Sequence, residues 1–283
     1  GAFDAATASD VLSGSGLSSS AAFEVLLGTI LNHLFNDGKV SDVEIAQIAQ
    51  AAENKFFGKP CGLLDQMTSS VGSFVEIDFA DPANPVIEKL DFDFASCGYA
   101  LCIVDTGGSH SDLTDEYAAV RKEMESVAEY LGKSVLREVD EDEFMKNIAD
   151  IRSSCGDRAV LRAMHFYGDN ARVEKQAAAL KAGDFETFKK YIIESGRSSY
   201  MYNQNVYSCK KASEQPVSLA LSLSEKLLDG CGAWRVHGGG FAGTIQAFVP
   251  LNKLDEYKDL MEKVFGSGSC YILSVRPVGG VEL

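Results

Sequence analysis

Two glycines and three consecutive serines stand directly before an apolar stretch near the start of the chain, in the sequence GSGLSSSAA at residues 14–22. Glycines allow successive backbone N–H groups to converge, and a helix beginning at the serines would add the positive end of its dipole. Such a loop can bind a phosphate without a basic side chain, and its hydroxyls can supply further donors or a ligand for Mg²⁺. An ordinary serine cap on the following helix is the alternative.

Two familiar phosphate-binding motifs do not match this loop. The Walker A motif ends in Gly-Lys followed by Ser or Thr, and the loop contains no lysine. The dinucleotide-binding fingerprint requires a third glycine where this chain has Ser19, and it requires a preceding strand, which the sequence does not predict. We therefore expect the loop to belong to another class of phosphate site.

The second stretch that could do chemistry is GKPCGLLDQ at residues 58–66. It contains one carboxylate, Asp65, and a second carboxylate, Glu53, precedes it by five residues. Because Asp65 follows two leucines, we expect it to be partly shielded from water, and we expect Pro60 and Gly62 to allow a tight backbone approach. A carboxylate in such a place can accept a proton from a substrate hydroxyl. Capping of the next helix by Asp65 is the alternative.

The third stretch is GAWRVHGGGFAG at residues 232–243, which has four glycines among its last six residues. Glycine at this density loses much backbone entropy on folding, so we expect it to serve the close approach of a ligand or of another backbone segment. A flexible hinge between a helix and a strand is the alternative. Trp234, the only tryptophan, is expected in the core.

Hydrophobic periodicity places these stretches on a mixture of helices and antiparallel strands. Alternation of apolar and polar residues predicts two strands joined by a turn at residues 73–79 and 86–92, and an apolar run predicts a buried strand at 99–105. Helices are predicted at 18–36, 41–57, most of 112–182, 185–195, 216–228 and 253–265, and further strands at 241–249 and 271–276. The pattern indicates two α+β lobes that join near residues 93–99.

The charge of the chain excludes two classes of partner. With 26 basic and 41 acidic side chains, its net charge of -15 repels the phosphates of nucleic acids and of anionic membranes. The apolar segments are shorter than the roughly 18 residues of a membrane span, and the first residues lack the pattern of a signal peptide. Seven cysteines without a CxxC pair indicate reduced thiols. We therefore expect a cytoplasmic protein with neither a nucleic acid nor a membrane as its partner.

Together with a fourth stretch, these motifs have the order and spacing of one known family. GSGLSSSAAFEV resembles the phosphate loop of the galactokinases, which are GHMP kinases, and AENKFFGKPCGLLDQM resembles the segment that carries that family's catalytic aspartate. RVHGGGFAGTIQAFV resembles the family's glycine-rich motif, and HSDLTDEYAAVRKEM resembles its segment of a histidine, a sugar-contacting tyrosine and an arginine. The resemblance covers nearly the whole chain.

This resemblance implies a fold, a reaction and two cofactors. The implied fold is α+β, the two-lobed GHMP kinase fold, with an incomplete S5 domain 2-like ATP-binding lobe at residues 1–97 and a ferredoxin-like lobe at residues 98–283. The implied reaction is ATP-dependent phosphorylation of a sugar at its 1-hydroxyl, with galactose converted to galactose 1-phosphate. ATP and Mg²⁺ are the implied cofactors.

The resemblance also implies roles for individual residues. Asp65 matches the catalytic aspartate, and Ser19 and Glu53 match the ligands of Mg²⁺, a hard cation that prefers oxygen donors. The residues that match contacts to the sugar are Gly62, Asp65, Tyr117 and Gly239. Those that match the loop around the ATP phosphates are Gly14, Ser15, Gly16, Leu17, Ser18, Ser19 and Ser20.

The chain departs from the family in ways that bear on its activity. The family's first motif, with an arginine and the acidic residues that hold the sugar hydroxyls, has no counterpart here. We therefore expect these 283 residues alone to be poorly active or inactive, and we expect their first lobe to leave apolar surface exposed or covered by self-association. Departures at residues 105–110 and 194–207, and at Ala242 and Thr244, leave the identity of the sugar open.

Other functions stay open at this stage. One is a noncatalytic galactokinase-like protein that senses a sugar or binds a partner, and another is a GHMP kinase for a different sugar such as N-acetylgalactosamine or arabinose. The presence of both Glu53 and Asp65 favours catalysis, because a binding protein needs no base beside a metal carboxylate. Residues 105–107 (Asp-Thr-Gly) also match the loop of aspartic proteases, but that chemistry requires two such loops and the chain has one.

Overall fold

The computed structural model describes residues 2–9, 11, 17–58, 61–81, 84–108, 113–241 and 243–282. The chain forms two compact units: the first contains the residues up to Phe92 and those from Val275 onwards, and the second is Asp93–Ser274. The predicted lobes, residues 1–97 and 98–283, differ from these units because the last residues return to the first unit. That the first unit is an ATP-binding lobe stays a prediction.

The first unit contains three helices and a two-stranded antiparallel sheet among its described residues. They are α1 (Ser19–Asn36), α2 (Asp42–Ala52), α3 (Leu64–Val71), β1 (Phe74–Asp78) and β2 (Val86–Leu90). The predicted helix at 41–57 ends as a regular α-helix at Ala52 and continues as a π-helical turn, Glu53–Phe57. Extra turns of this kind are uncommon and often lie at functional sites.

The face that α1 buries is not the one its large apolar residues would suggest. Its buried residues are Ala21, Val25, Thr29 and Asn32. Phe23, Leu26, Leu31 and Leu34 are exposed in the first unit. Helix α2 approaches α1 closely at Gly28, where a Cβ would lie 3.0 Å from Cγ2 of Ile45. The expectation of exposed apolar surface in the first lobe is met at these α1 side chains.

The second unit contains a four-stranded antiparallel sheet in the spatial order β4-β5-β3-β6. The strands are β3 (Tyr99–Asp105), β4 (Ala233–His237), β5 (Thr244–Pro250) and β6 (Cys270–Leu273). A helical region separates β3 from β4, and α10 (Leu254–Phe265) separates β5 from β6. This succession of elements and this strand order are those of a ferredoxin-like fold, which confirms the predicted α+β class and the ferredoxin-like lobe.

Helices cover both faces of this sheet. The helical region is α4 (Thr114–Tyr130), α5 (Glu141–Lys146), α6 (Ile148–Cys155), α7 (Asp157–Lys181), α8 (Phe185–Ser198) and α9 (Pro216–Leu228). On one face of the sheet, side chains of α9 and α10 pack against alternate residues of the strands in a single hydrophobic core. Trp234 belongs to this core, as predicted. On the opposite face, the ring of Phe248 packs against those of Phe94, Phe185 and Phe188.

The sequence analysis predicts no strand at residues 233–237 (AWRVH), which stand directly before the glycines, whereas the structure forms β4 there. Its pairing with β5, from Ala233 opposite Phe248 to His237 opposite Thr244, makes it an edge strand of the sheet. In the part of the chain that the structure describes, no helix combines the length and the apolar character needed to cross a bilayer.

Candidate active site

Residues 18–20, the serine turn of the first unit, lead into α1. The side-chain hydroxyls of Ser18 and Ser20 donate hydrogen bonds to carboxylates rather than to the backbone of the helix. Ser18 is the N-cap residue of α1, with φ 54° and ψ 54°, and its side chain makes no capping bond to the helix. Instead, its hydroxyl donates a hydrogen bond to Oδ2 of Asp65. Ser18 therefore does not form the ordinary serine cap that was the alternative. The backbone N–H groups in the first turn of α1 receive no hydrogen bond from the Ser18 hydroxyl. Gly14, Ser15 and Gly16 lie outside the described residues.

Asp65 stands in the first turn of α3, one residue inside the helix, whose N-cap position is Leu63. It does not cap the helix, so that alternative is wrong, although a carboxylate in the first turn still interacts favourably with the helix dipole. Leu63 is buried, yet Asp65 itself is exposed, contrary to the expected shielding from water. The exposed carboxylate is therefore accessible to a substrate hydroxyl.

Glu53 is buried, with 4% of its surface exposed, at the start of the π-helical turn. Its Oε1 accepts a hydrogen bond from the hydroxyl of Ser20 at 3.2 Å, and its Oε2 accepts one from Nε2 of Gln66 at 2.9 Å. A buried carboxylate requires such partners because removing its charge from water is costly. The serine that donates to Glu53 is Ser20. That Ser19 is a ligand of Mg²⁺ stays a prediction.

Two side chains that the sequence reasoning did not select belong to the same cluster. Gln66 is 1% exposed, and its Nε2 lies 3.4 Å from Oε2 of Glu24 as well as close to Glu53. Glu24 could have been found from helical spacing, because it lies four residues after Ser20 and therefore on the same side of α1. Gln66 could have been found as the neighbour of Asp65.

Cys61 completes the cluster as a protonated thiol. Burial, together with a hydrogen bond to Glu53, raises the pKa of Cys61 to about 11. Its Sγ lies 3.5 Å from Nε2 of Gln66, and its backbone N–H donates to Oδ1 of Asn54 at 2.7 Å. A thiol with a raised pKa is a poor nucleophile at neutral pH, so Cys61 contributes packing and a weak hydrogen bond rather than reactivity.

The donor set is suitable for a magnesium ion that is shared with a ligand. Among the described residues, no three His, Cys, Asp or Glu side chains stand together in a way that could hold a metal by themselves. Mg²⁺ is commonly bound by one or two carboxylates together with substrate phosphates and water. Glu53 and the hydroxyl of Ser20 supply oxygen donors of this kind, and Oε1 of Gln66 is buried without a hydrogen-bond partner in the described part of the chain.

Tyr117 and Gly239, both predicted to contact the sugar, lie together in the second unit. The hydroxyl of Tyr117 donates to the carbonyl oxygen of Gly240 at 2.9 Å, and a Cβ on Gly239 would lie 2.7 Å from Cε1 of Tyr117. The ring of Tyr117 also meets that of Phe241 edge to face, with the ring centres 5.2 Å apart. The glycines of this loop therefore permit a close approach of the tyrosine, one of the two uses expected from the sequence.

Two further stretches that the sequence singled out are the one around Gly62 and the Asp-Thr-Gly loop at residues 105–107. Gly62 is exposed, and a Cβ there would meet no atom within 4 Å, so the described residues make no tight approach at this glycine. In the Asp-Thr-Gly loop, Oδ1 of Asp105 accepts from the N–H of Gly107 at 2.9 Å, and the hydroxyl of Thr106 donates to the carbonyl of Gly243 at 2.7 Å. These two side chains hold their own loop and the neighbouring strand connection in place.

Known proteins resemble the chain in both sequence and fold. The family described as GHMP kinases N terminal domain matches residues 1–73. The galactokinase of Homo sapiens is 32% identical over 281 residues, which cover 99% of this chain and 68% of that protein. The galactokinase of Actinobacillus pleuropneumoniae is 31% identical over 258 residues, covering 91% of this chain, and the chain spans 64% of that protein's length.

Solved structures agree with the fold. The structure of Lactococcus lactis galactokinase complexed with galactose superposes with a TM-score of 0.73 at 24% identity, covering 97% of this chain and 69% of that one. The structure of L. major mevalonate kinase in complex with R-mevalonate gives a TM-score of 0.58 at 13% identity, covering 93% of this chain and 66% of that one. At these identities the likeness concerns the fold alone.

Proposed function

Because the chain belongs to the galactokinase family of GHMP kinases, we propose that it carries the ATP- and magnesium-dependent phosphorylation of a sugar at its 1-hydroxyl. Galactose is the proposed sugar and galactose 1-phosphate the product. Galactokinase is the name of relatives that share about a third of their residues with this chain, and galactose is the ligand in one structure of similar fold. The proposed partners are therefore two small molecules, ATP and a sugar.

The observation that carries the proposal is the attachment of two carboxylates to one helix start. Ser18 donates to Asp65, and Ser20 donates to Glu53, although the carboxylates lie 47 and 33 residues further along the chain. The fold of the first unit thus assembles hydroxyls, the positive end of α1 and two acidic side chains at one place. A phosphate loop, a metal ligand and a base for the acceptor require this set of groups.

We place the proposed binding of the ATP phosphates at residues 14–20, of which the structure describes residues 17–20. The N–H groups at the start of α1 stabilise negative charge through the helix dipole, and they lack a side-chain cap from Ser18. Glu53 and the hydroxyl of Ser20 would hold Mg²⁺. Ser19 stays a predicted ligand of the same ion. When bound, Mg²⁺ neutralises charge on the β- and γ-phosphates.

Asp65 has the role of base or orienting group. Its exposed carboxylate would accept the proton of the sugar 1-hydroxyl as that oxygen forms its bond to the γ-phosphorus, and ADP would leave with the electrons of the broken P–O bond. The hydrogen bond from Ser18 fixes one carboxylate oxygen, Oδ2. The second oxygen is then presented to the acceptor. That Tyr117 and Gly239, in the second unit, contact the sugar stays a prediction from the resemblance.

The direct test is product formation by the full coding sequence that contains these 283 residues. We expect ATP and galactose to give ADP and a sugar phosphate whose ³¹P signal couples to an anomeric proton, whereas N-acetylgalactosamine and arabinose react more slowly. A faster reaction with either of those sugars would reassign the substrate. Sugar binding without any transfer from ATP would instead identify a noncatalytic sugar sensor.

The Asp65→Asn variant tests the assigned base. It should lower kcat by roughly two to four decades, because proton transfer and orientation are lost while the phosphate contacts remain. The affinity for Mg·ATP should change little. Thr68→Ala, on the exposed side of the same helix, serves as the control and should keep wild-type turnover. Wild-type kcat in the Asp65→Asn variant would show that the base is assigned wrongly.

A further inference from the structure

Gln66 brings together carboxylates from two other helical elements of the first unit. It lies on α3, and its side-chain amide nitrogen is 2.9 Å from Oε2 of Glu53, in the turn after α2, and 3.4 Å from Oε2 of Glu24, on α1. Only 1% of Gln66 is exposed. One buried amide therefore sets the distance between two acidic side chains that approach from different parts of the chain.

The other end of this amide lacks a partner. Oε1 of Gln66 is buried, and no described group of the chain donates a hydrogen bond to it. Buried polar side-chain atoms almost always have a partner, supplied by the protein or by ordered water. The unpaired oxygen, in a side chain that already contacts two carboxylates, therefore points to a water molecule or a hydrated cation as the missing partner.

The chemistry of an amide explains why glutamine is useful at this position. An amide N–H can hold a carboxylate without cancelling its charge, whereas a lysine or arginine there would neutralise it and compete with a cation. Residues that hydrogen-bond a metal ligand fix the direction of its donor atoms and typically change metal affinity about 10–100-fold when they are removed. Gln66 has the contacts of such a residue.

We propose that Gln66 is a positioning residue for magnesium: its amide fixes Glu53 as the metal carboxylate and holds Glu24 beside it as a second carboxylate of the same site. This inference rests on the proposed function, since the metal enters as Mg·ATP. Gln66 acts through Glu53, so its loss changes how strongly the nucleotide depends on Mg²⁺. Binding of the metal-free nucleotide is not affected.

Calorimetric titration of the full coding sequence with AMP-PNP, in Mg²⁺ or in EDTA, tests this proposal without relying on activity. Gln66→Met keeps the length of the side chain and removes its donors. We expect it to raise the Kd for Mg·AMP-PNP about 10–100-fold and to leave the Kd in EDTA unchanged. An unchanged magnesium dependence would overturn the proposal, as would an equal loss of affinity in both buffers.

A matched control separates this role from general packing. Ser70 lies on the same helix, is also buried, and donates to the backbone carbonyl of Asp42 at 2.7 Å rather than to a carboxylate. Ser70→Ala should therefore keep the magnesium dependence of the wild type. If Gln66→Met loses its helical circular dichroism, Gln66→Asn, which withdraws the amide by one methylene, is titrated instead, with the same two outcomes.

A double-mutant cycle shows whether Gln66 acts through Glu53. In a Glu53→Gln background, Gln66→Met should raise the Kd for Mg·AMP-PNP by a much smaller factor than in the wild type, because only Glu24 is left for the amide to position. Fully additive effects would contradict the proposal. A wild-type protein that binds AMP-PNP equally with and without Mg²⁺ would refute the proposed function itself. Failure of the Gln66 variants alone would leave that function standing.

Discussion

Two glycines in the loop after β4 have similar backbone angles but different surroundings. Gly238 has φ 61° with no atom within 4 Å of a built Cβ, whereas Gly240 has φ 82° and would place its Cβ 1.9 Å from the backbone oxygen of Asn205. That oxygen accepts a hydrogen bond from the N–H of Phe241. Both positions favour glycine through their conformation, but only Gly240 is also required by space.

We predict that Gly240→Ala destabilises the second unit by about 3 kcal/mol or more, because steric overlap adds to the cost of the left-handed conformation. Gly238→Ala should cost only about 1–2 kcal/mol, the conformational part alone. Urea unfolding followed by the fluorescence of Trp234, the only tryptophan, measures both. Equal effects of the two substitutions would contradict the contact with Asn205.

At this scale the sequence predicts residue types better than partners. The motifs predict Asp65 and Glu53 beside the serine turn, and the structure brings both carboxylates to it through the hydroxyls of Ser18 and Ser20. Which serine donates to which carboxylate could not be predicted, because it depends on the left-handed conformation that Ser18 takes in the folded turn. For Gln66 the only signal in the sequence is its place next to Asp65, because an amide between two carboxylates has no sequence pattern of its own.

In the second unit, two arginines of α7 form ion pairs with Glu123 of α4, and one of the two arginine side chains is far more buried than the other. The side chain of Arg162 is 1% exposed; it donates to Oε2 of Glu123 at 2.9 Å and to the backbone oxygen of Asn203 at 3.0 Å. Burial lowers the pKa of Arg162, although Glu123 opposes this change. Arg158 binds the same carboxylate with two nitrogens, but its side chain is 43% exposed.

We predict that Arg162→Met destabilises the second unit by about 3–5 kcal/mol, because it leaves the carbonyl of Asn203 buried without its donor and removes one partner of a buried ion pair. Arg158→Met should cost less than about 1 kcal/mol, because water screens that pair and Arg162 remains. Thermal unfolding followed by circular dichroism compares the variants. A larger loss in Arg158→Met than in Arg162→Met would reverse this assignment.

Elements with a strong local pattern were predictable, and those defined by distant contacts were not. The strands β1 and β2 followed from alternation on either side of a turn, and α9 from the proline at its start and its apolar periodicity. In α1 the helix was predicted but its buried face was not, because Asn32 faces inward to hold both the N–H and the carbonyl of Val40. Strand β4 was missed because β5, which pairs with it, lies beyond the glycines.

At the scale of the whole molecule, the chain returns to the first unit after completing the second. The N–H of Ser73 donates to the carbonyl of Arg276 at 2.7 Å. A Cβ on Gly279 would lie 1.7 Å from the backbone oxygen of Ser70, and one on Gly280 would lie 2.3 Å from Oγ1 of Thr29. The last described residues therefore pack directly on α1 and on the end of α3.

We predict that Gly279→Ala loosens this packing, because no side chain can stand between the segment and Ser70. The amide hydrogens of α3 and of the central turns of α1 should then exchange faster with solvent. Val281→Ala, which shortens a half-exposed side chain in the same segment, should leave exchange at wild-type rates. Mass-spectrometric hydrogen exchange makes the comparison, and unchanged exchange in Gly279→Ala would contradict the contact.

The molecule's α+β organisation was predictable from the order of elements along the chain. Its ferredoxin-like lobe followed only from the resemblance of the motifs, because strand β4 was not among the predicted elements. The division into lobes at residues 97 and 98 stays a prediction, and the return of the last residues to the first unit was not among the expectations. A terminal segment that crosses back has no local pattern that marks it, since its contacts are backbone-to-backbone approaches made possible by Gly279 and Gly280.

Separate roles are proposed for the two carboxylates of the first unit, Glu53 and Asp65. The most direct test is to measure the Kd for Mg·AMP-PNP in the Glu53→Gln and Asp65→Asn variants of the full coding sequence, side by side. Loss of Glu53, the proposed metal carboxylate, should weaken Mg·AMP-PNP binding at least about tenfold, whereas loss of Asp65, the proposed acceptor base, should leave it within about twofold of wild type. An Asp65→Asn variant that loses nucleotide affinity while Glu53→Gln retains it would contradict the account.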